Sequence, residues 1–188
     1  RALSAEPGER PPSDAGLDTG DILLMRETPI GPDETADELA ARLAPMGADL
    51  LAETLAGLQA GSIIPRKQDD ALASHAPILR KEDGCIDWLL AAREVYNRVR
   101  AFVPWPGAYT WFRGQRLHVW RARLAEVPAP CGPGRILSSG GRLLAGCGDG
   151  AWLDLLEVQM EGRKRVVADA FLNGQHVEPG EVLGGMKK

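Results

Sequence analysis

Residues 16–21 read Gly-Leu-Asp-Thr-Gly-Asp and run into the apolar stretch Ile22-Leu23-Leu24-Met25. Glycines at 16 and 20 allow a tight turn, so Asp18 is offered in a loop at the start of whatever the next strand builds. A carboxylate there can orient and charge a neighbouring imidazole in acid–base chemistry. The same Asp-Thr-Gly-Asp string also suits a plain turn, in which the side chain bonds its own backbone, and spacing alone leaves both readings open. The second chemistry-bearing set is basic: Arg80 and Lys81; Arg93, Arg98 and Arg100; Arg116, Arg121 and Arg123; and Arg163-Lys164-Arg165. The guanidinium fork donates two hydrogen bonds to a phosphate, so these are candidate nucleic-acid contacts, against the alternative that each is a solvated surface charge. Trp88, Trp105, Trp111, Trp120 and Trp152 are candidate stacking platforms, but their periodicity favours core packing, and Trp105 is expected to plug the junction of two domains.

The distribution of charge sharpens the second set. The chain carries a net −4, yet residues 1–79 hold 6 basic and 14 acidic residues, whereas residues 80–188 hold 16 basic and 12 acidic. A balance of −8 followed by +4 suggests two jobs, the second facing a polyanion. With 188 residues, 44% hydrophobic and 26% charged, the chain fits one ordinary domain or two small ones of a globular protein. No apolar run approaches the ~20 residues of a bilayer-crossing helix, and no charged-then-apolar secretory head is visible. Cys85, Cys131 and Cys147 form no CxxC pair and are expected as free thiols. His75, His118 and His176 fit no metal spacing, so no metal is expected.

These residues need elements to carry them. Residues 1–13, rich in Pro, Glu and Ser, cannot bury enough surface to order themselves and read as a disordered or foreign head; the chain opens on Arg1, as a fragment or processed product would. Residues 21–30 contain a short buried strand. Thr35 and Glu38 form a capping box ahead of a helix with Leu39, Leu43, Leu50, Leu51, Thr54 and Leu58 on one stripe, interrupted by Pro45 and stopped at Gly61. Residues 62–85 read as an extended linker. Asp87 is expected to cap a helix whose buried face is Trp88, Ala92, Val95, Val99 and Phe102, with Arg93, Asn97 and Arg100 on a polar face. After Pro104-Trp105-Pro106 the pattern shortens to strands: 109–113 and 116–123 as a hairpin about Gly114-Gln115, then 134–138, 142–147 and 151–159. A last helix spans 167–173 and stops at Gly174. Five short strands with glycine turns suggest a small OB-like barrel.

Two strings, Gly-Leu-Asp-Thr-Gly-Asp at 16–21 and Arg100-Ala101-Phe102-Val103-Pro104-Trp105-Pro106-Gly107-Ala108, occur in the order seen in methionyl-tRNA formyltransferases, and over residues 14–185 the chain resembles that family. The resemblance implies an α/β fragment, the end of a Rossmann-like formyltransferase domain, followed by a small OB-like β-barrel domain with an N-terminal helix. On that basis 14–68 is the catalytic-domain remnant, 69–85 the linker and 86–188 the tRNA-binding domain. It implies transfer of a formyl group from 10-formyltetrahydrofolate to the amino group of initiator Met-tRNA, with Asp18 catalytic and Leu17, Thr19 and Gly20 against the folate. For tRNA it implies Arg80, Lys81, Arg93, Arg100, Arg163, Lys164 and Arg165. The Asn-x-His pair that works with the aspartate in that family is not in this sequence, so the chain alone is expected to be inactive. A monomer in the bacterial cytoplasm is expected, with the mitochondrial matrix as the alternative compartment. The rivals are a stand-alone RNA-binding module and a relative that formylates a sugar nucleotide or hydrolyses formyltetrahydrofolate.

Overall fold

A computed structural model describes residues 19–127 and 130–184. They fall into two compact units, one made of 19–31 and 39–77, the other of 32–38 and 78–184. The elements are α1 (Ala36–Gln59), 3-10 turns at Asp70–Leu72 and Lys81–Gly84, α2 (Ala92–Ala101), β1 (Ala108–Phe112), β2 (Gln115–Ala125), β3 (Ile136–Ser139), β4 (Arg142–Gly146), β5 (Trp152–Met160), β6 (Val166–Val167) and α3 (Ala168–Gln175).

In the first unit the apolar run at 22–25 is not the strand its composition predicts. It makes one antiparallel bridge, Ile22 to Arg66, with N–H···O distances of 2.8 and 2.9 Å, and Met25 is exposed. A strand needs a neighbour along its length, and this unit supplies one residue of it. The helix runs unbroken through Pro45, contrary to the predicted interruption, because a proline removes one N–H donor from a helix held by many. No residue of α1 is buried, and Leu43, Leu51, Leu55 and Leu58 are exposed. Its start is capped as predicted, with the Thr35 backbone N–H donating to Glu38 Oε2 at 2.9 Å.

The second unit holds the core. Six antiparallel strands run in the order β1-β2-β5-β4-β3, with β6 also on β5. The predicted barrel is therefore an open sheet, since among the described residues β1 and β3 do not pair. What spans the two edges is residues 181–184: Ile136 N–H donates to Glu181 O and Leu183 N–H to Gly134 O at the β3 edge, while Gly184 N–H reaches Trp111 O on β1 at 2.9 Å. A four-residue run suffices for that stitch, whereas a further paired strand would need register on both sides.

Helix α2 begins at Ala92 rather than after Asp87. Asp87 instead closes a turn by accepting from Leu89 N–H at 2.9 Å, and Ala92 N–H is taken by Asp149 Oδ2, 57 residues on, at 3.1 Å. Trp88 is buried from that turn, its Nε1–H donating to Thr110 Oγ1 at 2.9 Å, so its single polar atom is satisfied. The β1–β2 hairpin turns at Arg113-Gly114, both with positive φ (49° and 74°), one position earlier than predicted and as a two-residue hairpin requires. Helix α3 runs through Gly174 and ends on left-handed His176. The short β6 was absent from the sequence reading.

The Leu89–Leu90 turn and the 147–150 loop approach so closely that a Cβ at Gly148 would lie 1.8 Å from the Leu89 carbonyl oxygen. Gly148→Ala should therefore destabilise the chain by about 2 kcal/mol or more, read as a lowered midpoint in urea at unchanged slope; a midpoint within error of the parent would contradict this packing.

Candidate nucleic-acid interface

Alternation along the β1–β2 hairpin sorts its side chains onto two faces. Ala108, Thr110, Phe112, Leu117 and Val119 are buried, while Tyr109, Trp111, Arg116, His118 and Trp120 are half-buried on the other face. Register sets Tyr109 opposite His118 and Trp111 opposite Arg116. A continuous ladder results. Trp120 and His118 stack with ring centroids 5.8 Å apart and planes at 20°; His118 is 5.9 Å from Tyr109, and Tyr109 meets Trp111 edge-on at 6.3 Å. Guanidinium groups cover both ends, Arg165 at 5.2 Å from the Trp120 centroid and Arg116 at 4.6 Å from Tyr109 and 5.6 Å from Trp111. Interleaved rings and arginines of this kind offer stacking and phosphate contact on one surface.

The basic candidates are distributed unevenly. Arg80 and Lys81 are exposed on the 3-10 turn, and Arg163 and Lys164 are exposed in the turn after β5. Arg165 reaches the ladder and pairs with Glu157. Arg93 and Arg100 lie over Tyr96 at 5.9 and 5.8 Å, and Arg100 also donates to Glu34 O and Asn97 Oδ1, each at 3.1 Å, so it is committed to the fold. Arg123 and Arg142 converge on Oδ2 of buried Asp154 at 2.9 Å each. Arg121 is exposed and forms no ion pair among the described residues.

Asp18 and Leu17 lie outside the described residues. Thr19 and Gly20 are exposed, with Gly20 O accepting from Gln68 Nε2 at 2.7 Å. Of the tryptophans, Trp88 and Trp152 are core, Trp111 and Trp120 join the ladder, and Trp105 is 53% exposed. Tyr109 and His118 were missed by the sequence reading; the signal that could have found them is the period-two spacing of Tyr109 and Trp111 followed by Arg116, His118 and Trp120. Cys147 is inert, its thiol pushed up to about 12, above all by burial. Among the described residues no cluster of three acidic, His or Cys side chains could hold a metal, and no helix is long and apolar enough to cross a membrane.

Comparison with known proteins identifies the family of the second unit. Residues 78–176 match the formyl transferase C-terminal domain. The chain is 57% identical over 171 residues to methionyl-tRNA formyltransferase of Solibacter usitatus, covering 91% of this chain and 54% of the relative. It is 50% identical over 171 residues to that of Acidobacterium capsulatum, covering 91% of this chain and 55% of the relative. The chain thus spans about half the length of the curated relatives it matches. Among solved structures it is similar in fold to a HypX variant from Aquifex aeolicus (TM-score 0.65, 20% identity, 89% of this chain and 30% of that one). HypX in complex with tetrahydrofolic acid is also similar (TM-score 0.62, 18% identity, 89% and 30%). So is an N-formyltransferase from Helicobacter canadensis in complex with folinic acid and dTDP-3-aminofucose (TM-score 0.59, 17% identity, 77% and 52%).

Within the ladder His118 is held toward its neutral form, first by burial and then by the Arg116 charge, with Glu161 opposing weakly. A histidine whose folded pKa is depressed stabilises the fold above its unfolded pKa of about 6.5 and loses that contribution as pH falls through the folded value. Stability should therefore decline from pH 7 downward, and His118→Gln should flatten that part of the profile in thermal melts; an unchanged slope would remove His118 as its source.

Proposed function

Since the chain belongs to the formyl transferase family through its C-terminal domain, we propose that it serves a methionyl-tRNA formyltransferase, which moves a formyl group from 10-formyltetrahydrofolate to the amino group of initiator Met-tRNA. The observation that carries this reading is 57% identity over 171 residues to a curated enzyme of that name. The similar sugar-nucleotide enzyme stands at 17%, which supports a tRNA acceptor over a sugar nucleotide. In this reading 14–68 is the end of the catalytic domain, 69–85 the linker and 86–188 an OB-like tRNA-holding domain, acting as a monomer in the bacterial cytoplasm.

Asp18 orients and charges a histidine, while an Asn and the histidinium stabilise the oxyanion formed as the amine attacks the formyl carbon. That Asn-x-His pair is not among these 188 residues, so the chain alone leaves Asp18 without a group to polarise. The donor would lie against Leu17, Thr19 and Gly20; Thr19 and Gly20 are exposed and so open to it. The ladder from Trp111 to Trp120, flanked by Arg116 and Arg165, holds RNA by stacking and charge together, with Arg80, Lys81, Arg93, Arg163 and Lys164 as further phosphate contacts. Arg100 acts from within the fold, through Tyr96.

Two expectations test this. A chimera supplying the N-terminal half of the Solibacter usitatus relative ahead of residues 14–188 should formylate Met-tRNA and not a dTDP-amino sugar, and Asp18→Ala in it should cost at least ~10²-fold in rate; sugar formylation would overturn the acceptor. The 188-residue chain should bind tRNA with affinity falling at least ~10²-fold between about 50 and about 200 mM salt. Trp120→Ala with Arg165→Ala should weaken it by a further ~5- to 30-fold. Salt-independent binding would count against a phosphate-led interface.

A further inference from the structure

Beside the ladder, within the second unit, the segment Pro32–Glu38 is strapped to α2. Tyr96 Oη–H donates to Asp33 Oδ1 and to Pro32 O, and Arg100 Nη1 holds Glu34 O. Between this strap and β2 lies a cleft of about 200 Å³. It is lined by the apolar Val99, Ala122 and Leu156, by Trp120, and by charges of both signs: Asp33 with Arg100, Arg121 and Arg123.

We propose that this cleft binds one nucleotide unit whose base carries an exocyclic amine. The inference rests on the RNA-binding reading above and specifies what one part of the surface recognises. The volume and apolar lining suit a planar base rather than a duplex. Asp33 presents a carboxylate whose Oδ2 takes none of the described hydrogen bonds, an acceptor matched to the amine of cytosine, adenine or guanine and unmatched by the carbonyls of uracil. Of the cations lining it, Arg121 is exposed and forms no ion pair among the described residues, and so is offered for the phosphate of the same unit, while Arg123 is shared with Asp154 and Arg100 is held by Glu34 O and Asn97. The acid alone would repel a polyanion and the base alone would take any phosphate. Together they select a charged unit by the edge of its base.

The 188-residue chain should be titrated at one fixed low salt with oligo(C), oligo(A) and oligo(U) of equal length, and with CMP and UMP, following tryptophan fluorescence. Oligo(C) or oligo(A) should bind at least ~5-fold tighter than oligo(U), about one mismatched contact's worth. Asp33→Asn, which keeps an acceptor for Tyr96 but replaces the Oδ2 acceptor by an NH2 donor, should abolish the preference. Arg121→Ala, a change at an exposed side chain, should weaken all three oligomers while keeping their order. CMP bound in preference to UMP with oligomers excluded would assign the same chemistry to a free nucleotide. Equal binding of all bases, or a preference surviving Asp33→Asn, would overturn the cleft and leave the RNA-holding ladder standing. No binding of any RNA, tRNA included, would sink both.

Discussion

What the outer face of this sheet can present depends on one break in the ladder between β2 and β5. Up to Val119, paired with Val158, odd-numbered residues of β2 face the core; after it the register slips, with Arg121 opposite Glu157 and Ala122 opposite Leu155. Trp120 is the extra residue on one strand and Leu156 the extra residue on the other. The bulge flips the alternation, so Ala122 packs on the core while Arg121 and Arg123 turn outward. Without it Trp120 would be followed outward by Ala122, and Arg121 and Arg123 would fall on the core side of the strand. Regular alternation already places Arg116, His118 and Trp120 on this face, and the bulge adds Arg121 directly after Trp120.

The bulge is tolerable because β5 is pinned on both sides, to β2 and to β4, with β6 added at its end. Its run Trp152–Leu155 is buried, which is unusual for a sheet with one wet face. The sequence carries a charge in that run, Asp154, and its position is held by two arginines that meet the same oxygen. A lone buried carboxylate would be costly; here Arg123 and Arg142, both partly exposed, supply its counter-charge from the surface. At the far edges the sheet would be two open rims, each a template for unwanted pairing. Residues 181–184 cover the β3 rim and touch β1, and Arg113, locked at φ 49° in the hairpin turn, holds Glu181 through paired contacts at 2.6 and 2.9 Å.

Much of this was legible in the sequence where local chemistry decides. The hairpin, the strands from 136 to 160, the Thr35–Glu38 cap and the core of α2 (Ala92, Val95 and Val99) all follow from period and cap residues. The errors fall where a distant partner decides. Asp87 looked like a helix cap, but Asp149 claims that role from a loop 57 residues away. The run at 22–25 has strand composition and finds only Arg66 to pair with. Closure was read as a barrel because glycine-punctuated strands suggest one, and the edge-spanning tail 181–184 has no strand signature at all. For the site, arginine identity gave candidates without showing which are spent inside the fold, and the bulge that sorts them is a property of two strands at once.

That sorting also corrects the meaning of the +4 balance in the second part of the chain. Arg113, Arg123, Arg142 and Arg165 are ion-paired to Glu181, Asp154 and Glu157, and Arg100 is bound to backbone. Their charge is largely neutralised at short range, and at physiological salt a screened surface charge reaches only ~8 Å. An electrostatic attraction for a polyanion would therefore come from a smaller group, Arg80, Lys81, Arg93, Arg98, Arg116, Arg121, Arg135, Arg163 and Lys164, none of which forms an ion pair among the described residues. The paired arginines contribute differently. Arg165 is fixed between Glu157 and the Trp120 ring, so it loses little rotamer freedom when a phosphate arrives. In the proposed RNA-holding role, free cations would set how strongly the polyanion is attracted, and held ones where on the ladder it rests.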